Sequence, residues 1–422
     1  MTDERTPTGS KPARSLWARF SIFLAVVGPG IITANVDNDA GGLTTYSQAG
    51  AHFGMDVLWI VIPTAILLIM VQEMVNRMGV VTGQGLSDMI RERFGVKFTF
   101  ILMLLVLGTN FGNVMAEFAG IASAGELFGL PSWITVPACA LLVWLLVLKG
   151  SYKSVEKVFL VACIFYFAYP ITFFILKPDM KTVAQAMIHP KLEFSAPYLA
   201  MLIALVGTTI APWMQFYQQA SVAEKNISVA DYFYSRLDTI FGCIVVNIVA
   251  VCIIVVCALT LHKADIRIEL AADAARALVP FAGWGSGYLF AFGLWNASLF
   301  AASILPLSTS YTICEAFGWE SGVDKDFETA PQFYVLYTAI IAIGAITILL
   351  PGLSLIRVMF WSQVINGLLL PVVLVVILYL ANDERVMGRH VNGRFYNVIC
   401  WISVIALTVI SVTYVASMFL IA

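Results

Sequence analysis

The stretch that decides the fold is GPGIITANVDNDAGGLTTYSQAG, residues 28–50, which lies in the first long apolar segment of the chain. Two acidic residues, Asp37 and Asp39, stand in its middle beside the pair Gly41-Gly42. An ionised carboxylate at membrane depth costs several kcal/mol unless it faces a cavity, a cation or a polar partner. The stretch therefore predicts an interrupted membrane helix with a polar site at its centre.

A second interrupted segment, GTTIAPWMQ, occupies residues 207–215. Pro212 lacks an N–H and excludes the normal helical turn before it. We therefore expect the chain to unwind from Thr208 to Ala211 and to leave carbonyl oxygens without intrahelical partners.

The rest of the chain has the composition of a polytopic membrane protein. Of its 422 residues, 60% are hydrophobic and 12% are charged, against roughly 45–50% and roughly 25% in soluble domains. This balance excludes a disordered chain, a disulfide-rich secreted scaffold and a nucleic-acid-binding protein. Eleven apolar windows predict spans at about 20–52, 57–78, 98–128, 133–149, 156–176, 196–221, 237–261, 286–314, 332–351, 356–381 and 396–420.

The basic residues predict the orientation of these spans. With the N-terminus in the cytoplasm, 17 of the 24 Lys and Arg residues fall in inside segments, as the positive-inside rule requires. Residues 1–19 then form a cytoplasmic tail, and the C-terminus lies on the extracellular or periplasmic side.

The two interrupted segments are spans 1 and 6, the first members of two five-helix halves. We expect one transporter domain over residues 20–422, with a first repeat at about 20–177, a second at about 196–381 and an extra helix at about 396–420. Matching helix breaks in two halves mark a binding site near the bilayer midplane in inverted-repeat transporters.

The residue types at these breaks predict a site for a hard cation. Asp39 supplies a carboxylate, and unwound backbone at Gly42, Thr208 and Ala211 would supply carbonyl oxygens, which hard divalent cations prefer. An alternative stays open, because an Asp at this position can simply cap the second half of a broken helix.

Further motifs carry a resemblance to a known family. The triplets Gly28-Pro29-Gly30 and Ala49-Gly50-Ala51, with Asp39-Ala40-Gly41-Gly42 between them, are similar to the opening of the Nramp family of divalent-metal transporters. The similarity continues in order through Gln72, Arg77, Gly79-Val80-Val81-Thr82-Gly83, Ala116-Glu117-Phe118, Leu127-Phe128-Gly129-Leu130-Pro131, Ser235-Arg236-Leu237-Asp238-Thr239, Ser362-Gln363-Val364, Pro371 and Met387-Gly388. The resemblance implies an all-α polytopic protein with the leucine-transporter-like inverted repeat, five plus five helices, and an eleventh span.

The sequence departs from the family pattern at its functional positions. The family's metal-binding Asp-Pro-Gly-Asn is matched by Asp39-Ala40-Gly41-Gly42, so the Asn ligand is replaced by Gly42. The family's Met-Pro-His is matched by Ala211-Pro212-Trp213, so the soft thioether and the titratable imidazole are both replaced.

Two more family positions have also changed. The family's helix 3 carries an Asp three residues before a Glu for proton transfer, and here Val114 precedes Glu117. A metal-binding Gln of the family is matched by Leu369.

These departures resemble the Nramp-related magnesium transporters, a bacterial branch of the family. Loss of the thioether removes a soft ligand, and the smaller side chains are expected to enlarge the cavity for an ion that keeps its water. The function expected from this resemblance is import of hydrated Mg²⁺, with Mn²⁺ also carried, across the bacterial inner membrane by a monomer without proton coupling or a cofactor. The residues expected around the ion or along its path are Glu117, Asp37, Asn38, Gln215, Trp213 and Gln363.

Other functions remain as alternatives. A proton-coupled Mn²⁺ or Fe²⁺ symporter of the ordinary Nramp type and a non-transporting sensor on the same scaffold would share this sequence pattern. A Na⁺-coupled amino-acid carrier is disfavoured because Asp39 would repel the substrate carboxylate. An enzyme is not expected, since no nucleophile or cofactor motif stands outside the ion-site residues.

Overall fold

The structure, a computed structural model, describes residues 36–148, 167–323 and 325–420, and the regular elements among these residues are helices joined by turns and loops. The longer helices are α1 (Ala40–Phe53), α2 (Val61–Thr82), α3 (Leu86–Leu127), α4 (Ser132–Leu148), α5 (Ala168–Leu176), α6 (Met180–Ile188), α7 (Ala196–Thr209), α8 (Pro212–Glu224), α9 (Tyr232–Thr260), α10 (Ser286–Phe317), α11 (Pro331–Ile348), α12 (Leu355–Ala381) and α13 (Arg394–Leu420). Short helices at Ala271–Ala275, Val279–Ala282 and Glu384–Met387 lie between spans.

Most helices overlap the predicted spans where both are described. Within the described residues, eight helical segments are long and apolar enough to cross a membrane, and Ser132–Leu148 is a shorter apolar helix. The first part of span 1, most of span 5 and the tail at 1–19 lie outside the described residues.

The third span is longer than its apolar window predicted. Helix α3 begins at Leu86 instead of near residue 98, and it is kinked at Gly95, whose φ of 78° only glycine adopts readily. The charged residues before the kink kept this part out of a window chosen by hydropathy.

Helix α1, the described part of span 1, lies at the centre of the bundle. It packs against α9, α7, α12 and α3, while α3 also packs against α10 and α12. All residues of α1 from Ala40 to Ala51 are buried. Polar groups at the start of α1 are therefore enclosed by helices of both halves.

The break in span 6 is narrower than the sequence predicted. Helix α7 continues to Thr209, and only Ile210 and Ala211 leave the helical conformation before α8 begins at Pro212. The last turn of α7 is held by the Ile210 N–H, which donates to the Val206 carbonyl at 2.9 Å, and by the Thr209 hydroxyl, which donates to the Leu205 carbonyl at 2.8 Å. Pro212 occupies the first position of α8, where its missing N–H has no cost.

Candidate ion-binding site

Two carboxylates hold the N-terminus of α1. Asp39 is the N-cap, and its Oδ1 accepts from the Gly42 N–H at 2.6 Å. Glu117, on α3, accepts from the Ala40 N–H through Oε2 at 3.3 Å. Asp39 therefore does cap the helix, as the alternative proposed. The cap uses Oδ1, and a carboxylate has two oxygens with about four lone-pair directions, so capping does not exclude cation binding.

At Gly42 the two broken spans lie close together. A Cβ built on Gly42 would lie 2.7 Å from the Asp37 carbonyl oxygen, 3.1 Å from Thr208 Oγ1 and 3.4 Å from Asp39 Oδ1. The sequence predicted that the small residues Gly42 and Ala211 together would enlarge the cavity, and this stays a prediction. The space that a side chain would take is filled by oxygens of Asp37 and Thr208.

Several buried oxygens around this point have no hydrogen-bond partner among the described residues. A buried polar atom without a partner costs about 1–3 kcal/mol, so each such atom requires an explanation. A cation or its bound water would satisfy them together. The unpartnered atoms are Asp37 Oδ1 and Oδ2, Asn38 Oδ1, Glu117 Oε1 and Thr208 Oγ1.

The described part of the site does not bring three or more charged or sulfur ligands to one ion. Within the described parts of the chain, no group of three or more His, Cys, Asp or Glu side chains is arranged to hold a metal directly. An ion bound here would therefore use one or two carboxylates together with hydroxyl, amide, carbonyl or water oxygens.

On the span 6 side, one predicted carbonyl ligand already has donors. The Ala211 carbonyl accepts from the Met214 N–H at 3.1 Å. It also accepts at 2.8 Å from the Gln215 amide, which reaches the Pro212 carbonyl at the same distance. The Thr208 carbonyl differs, because its usual helical donor would be the nitrogen of Pro212, which has no hydrogen. Of the two backbone carbonyls predicted as ligands in span 6, that of Thr208 is the more available to an ion.

Trp213 is a packing residue in this structure. It is among the largest fully buried side chains and packs against Tyr217, with ring centroids 6.3 Å apart. Its indole nitrogen is a donor only, so it cannot bind a cation.

Gln363 lies closer to the centre of the site than the sequence indicated. A Cβ on Gly41 would overlap the Gln363 amide nitrogen. That amide is oriented by Asn366, which donates to Gln363 Oε1 at 2.9 Å and exchanges hydrogen bonds of 2.8 and 3.1 Å with Asn113. This amide network links α12 to α3 and turns the Gln363 nitrogen toward Gly41.

Sequence reasoning missed a contact between the two broken spans beside the site. The Tyr46 hydroxyl and Thr209 Oγ1 lie 2.9 Å apart and join α1 to the end of α7. Tyr46 follows Asp39 by seven residues, and this spacing, which places both on one face of a helix, was the available signal.

Comparison with known proteins decides the family. The family model described as Natural resistance-associated macrophage protein-like, Nramp, matches residues 30–417. The chain belongs to the Nramp family.

Individual Nramp relatives are distant but cover most of the chain. A protein of Granulibacter bethesdensis named divalent metal cation transporter MntH is 24% identical over 389 residues, 88% of this chain and 83% of its own length. A Deinococcus radiodurans protein of the same name is 25% identical over 396 residues, 90% of this chain and 86% of its own length.

Solved structures confirm the predicted fold class. The crystal structure of the Eremococcus coleocola manganese transporter, in complex with an aromatic bis-isothiourea substituted compound, superposes with a TM-score of 0.78 at 20% identity. The match covers 97% of this chain and 89% of that chain. The protein is an all-α, multi-pass membrane protein with the leucine-transporter-like fold of the Nramp family.

Proposed function

We propose that the protein imports a hydrated divalent cation, Mg²⁺ and also Mn²⁺, by alternating access through the Asp39 site and without proton coupling. Membership of the Nramp family supports a transport function. The relatives are named divalent metal cation transporters, and the similar structure is a manganese transporter. The choice of Mg²⁺ rests on the chemistry of this chain's own residues.

One observation carries the proposal: buried, unpartnered oxygens surround the two helix breaks. They come from carboxylate, amide and hydroxyl groups of Asp37, Asn38, Glu117 and Thr208. Oxygen ligands suit hard cations, whereas Cd²⁺, Zn²⁺ and Fe²⁺ gain more from thioether, thiolate or imidazole ligands. At the break in span 6, the residue before Pro212 is Ala211, which offers no side-chain ligand.

Hydration of the ion follows from the arrangement of the carboxylates. Mg²⁺ gives up water reluctantly and usually binds proteins through one or two carboxylates while keeping several waters. Among the described residues, no three acidic, histidine or cysteine side chains converge on one point. Asp39, with the Thr208 hydroxyl and carbonyl, can hold an ion partly through its own water, helped at longer range by Glu117.

The lack of proton coupling rests on two buried side chains that cannot titrate. Val114 and Trp213 occupy the positions where the family resemblance places a proton-carrying Asp and His, and both are buried. The membrane potential alone then drives uptake. Two charges at ~2.3 kcal/mol each per 100 mV supply about 4–5 kcal/mol, enough for about a thousandfold accumulation.

A second candidate function is proton-coupled symport of Mn²⁺ or Fe²⁺. The observation that favours it is Glu117, which is completely buried and interacts electrostatically with Asp39. A carboxyl group in this position can in principle exchange its proton when a cation arrives. We favour the uncoupled function because Val114 and Trp213, which cannot titrate, stand at the two positions where the family resemblance places proton-carrying side chains.

The proposed setting is the bacterial inner membrane, with the N-terminus in the cytoplasm and a monomer as the working unit. The distribution of Lys and Arg supports this orientation.

A flux assay in proteoliposomes tests the proposal. Uptake of Mg²⁺, Mn²⁺, Ca²⁺ and Zn²⁺ is compared under an inside-negative potential, with a pH dye in the lumen. We expect uptake of Mg²⁺ and Mn²⁺, accelerated by the potential and without luminal acidification. Acidification in proportion to metal influx would favour the symporter, and no flux of any ion would favour the sensor.

A further inference from the structure

The outer end of α1 is fastened to the loop that follows span 7. Helix α1 begins at the Asp39 cap and ends at Phe53, about 20 Å away at 1.5 Å per residue. Near this end, the Ile268 N–H donates to His52 Nε2 at 3.3 Å, and the Gln48 amide donates to the Ile268 carbonyl at 3.4 Å. His262 Nδ1 also lies 3.0 Å from the Ala51 carbonyl. These contacts hold the end of α1 that the predicted orientation places on the outer side.

The two histidines at this contact have different hydrogen-bonding roles. A backbone N–H can only donate, so His52 Nε2 must carry a lone pair, and His52 is neutral with its proton on Nδ1. A backbone carbonyl can only accept, so His262 Nδ1 must carry a proton. Protonating His52 turns its acceptor into a second donor and destroys the contact with Ile268. Protonating His262 leaves its contact with Ala51 intact, because Nδ1 donates in both forms.

His52 is also accessible to a proton from the outside. Its side chain is partly exposed and lines a cavity of ≈ 550 Å³ together with the exposed residues Asp56, Lys191, Glu193 and His262. Because the ring faces both this cavity and the Ile268 amide, a proton can reach it while the site at Asp39 stays closed.

We propose that His52 is an external proton-binding site that controls the outer gate of the transporter. This inference rests on the proposed transport function. A proton bound at His52 releases the outer end of α1 from Ile268 and favours the outward-open state, and it is not carried across the membrane. The proton binds better to the open state, so acidification through the titration range of histidine opens the gate and alkalinisation closes it.

Charged and titratable groups surround His52. Arg267 and His262 lie beside it. Asp56 and Glu193 line the same cavity, and Asp56 is paired with Lys191 at 2.6 Å. Tyr198, which lines the same cavity, remains neutral and donates to backbone carbonyls of Lys191 and Asp56. Once protonated His52 separates from Ile268, Asp56 and Glu193 are the acidic groups in this cavity with which it can pair.

The test combines hydrogen exchange with transport in four proteins: wild type, His52→Gln, His52→Ala and His262→Gln. His52→Gln keeps an acceptor for the Ile268 N–H but cannot titrate, so it should hold the gate closed at every pH. His52→Ala lacks the acceptor and should resemble the protonated protein at every pH. His262→Gln keeps a donor for the Ala51 carbonyl and is the matched control.

Hydrogen exchange of the peptide that contains Ile268 is measured in nanodiscs between pH 8 and pH 5 and corrected for intrinsic exchange. Loss of one hydrogen bond predicts about a fivefold fall in protection, equivalent to ~1 kcal/mol, in wild type and His262→Gln. Protection in His52→Gln should stay high, and that in His52→Ala should stay low. A pH response of the wild-type size in His52→Gln would overturn the inference.

The transport arm separates this inference from the proposed function. Initial Mn²⁺ uptake is measured at several external pH values with the internal pH held constant and a luminal pH dye present. External acid should raise the rate in wild type and His262→Gln but not in His52→Gln, with no luminal acidification in any of them. Acidification tied to uptake would refute uncoupled transport, whereas a rate that depends on pH equally in all variants would refute the role of His52.

Discussion

Replacing Gly42 by alanine should weaken ion binding while the protein still folds. The added Cβ would lie 2.7 Å from the Asp37 carbonyl oxygen, against an ordinary contact of at least 3.4 Å, so the two must separate by about 0.7 Å. Overpacking of this kind costs ~1–3 kcal/mol, and the gain in helix propensity from Gly to Ala returns about 1 kcal/mol. The net loss of stability is therefore expected to be about 0–2 kcal/mol.

The same displacement should also weaken binding of the ion. Moving Asp37 or Thr208 displaces oxygens that we propose to face the ion, and a loss of ~1.4 kcal/mol in binding is a tenfold weaker affinity. We expect about a tenfold higher KM for Mg²⁺ uptake by Gly42→Ala in proteoliposomes, with thermal stability measured in parallel.

Gly108→Ala is the matched control for this change. Gly108 lies within α3, and no described atom lies within 4 Å of a Cβ built there. This variant should keep the wild-type KM. If Gly42→Ala is folded and also keeps the wild-type KM, the close approach at Gly42 has no part in ion binding and the reasoning is refuted.

Three other substitutions probe the remaining parts of the site. Thr208→Val removes a buried hydroxyl that has no partner among the described residues. It should leave thermal stability equal or higher while raising the KM for Mg²⁺ about fivefold. Unchanged transport would show that this hydroxyl does not contact the ion. Ala211→Met should restore a thioether and shift competition in uptake assays toward Mn²⁺ and Cd²⁺, and an unaltered selectivity would place this side chain away from the ion. Asn366→Leu should release the Gln363 amide and lower Mg²⁺ uptake several-fold, whereas Asn110→Leu, which breaks an interhelical bond to Thr309, should not; equal effects would indicate that both amides serve packing alone.

The sequence allowed the fold to be predicted because its strongest signals are local. Apolar windows and the proline at residue 212 depend on side-chain hydropathy and backbone chemistry, which act over a single turn or span. The extent of unwinding was overestimated because Thr209 and Ile210 make hydrogen bonds that hold the last turn of α7. Those bonds cannot be read from residue types alone.

The candidate site was predictable in its residue types but not in its geometry. Asp39 and Thr208 follow from the helix breaks, whereas the filled space at Gly42 depends on how closely two segments approach. Side-chain size predicts a gain in cavity volume, but it does not reveal that the Asp37 carbonyl borders the space beside Gly42. The orientation of Gln363 by Asn366 and Asn113 likewise depends on three residues from two helices.

The central claim is that Asp39 binds the transported cation in addition to capping α1, and the substitution Asp39→Asn separates these two roles. Asparagine caps helices about as well as aspartate, so the hydrogen bond from Gly42 can be kept while the negative charge is lost. The decisive measurement is Mg²⁺ and Mn²⁺ uptake by Asp39→Asn in proteoliposomes, beside its thermal stability. A stable protein with uptake reduced to the background of empty vesicles is the result predicted here, and a stable protein with wild-type uptake would show that Asp39 is only a cap.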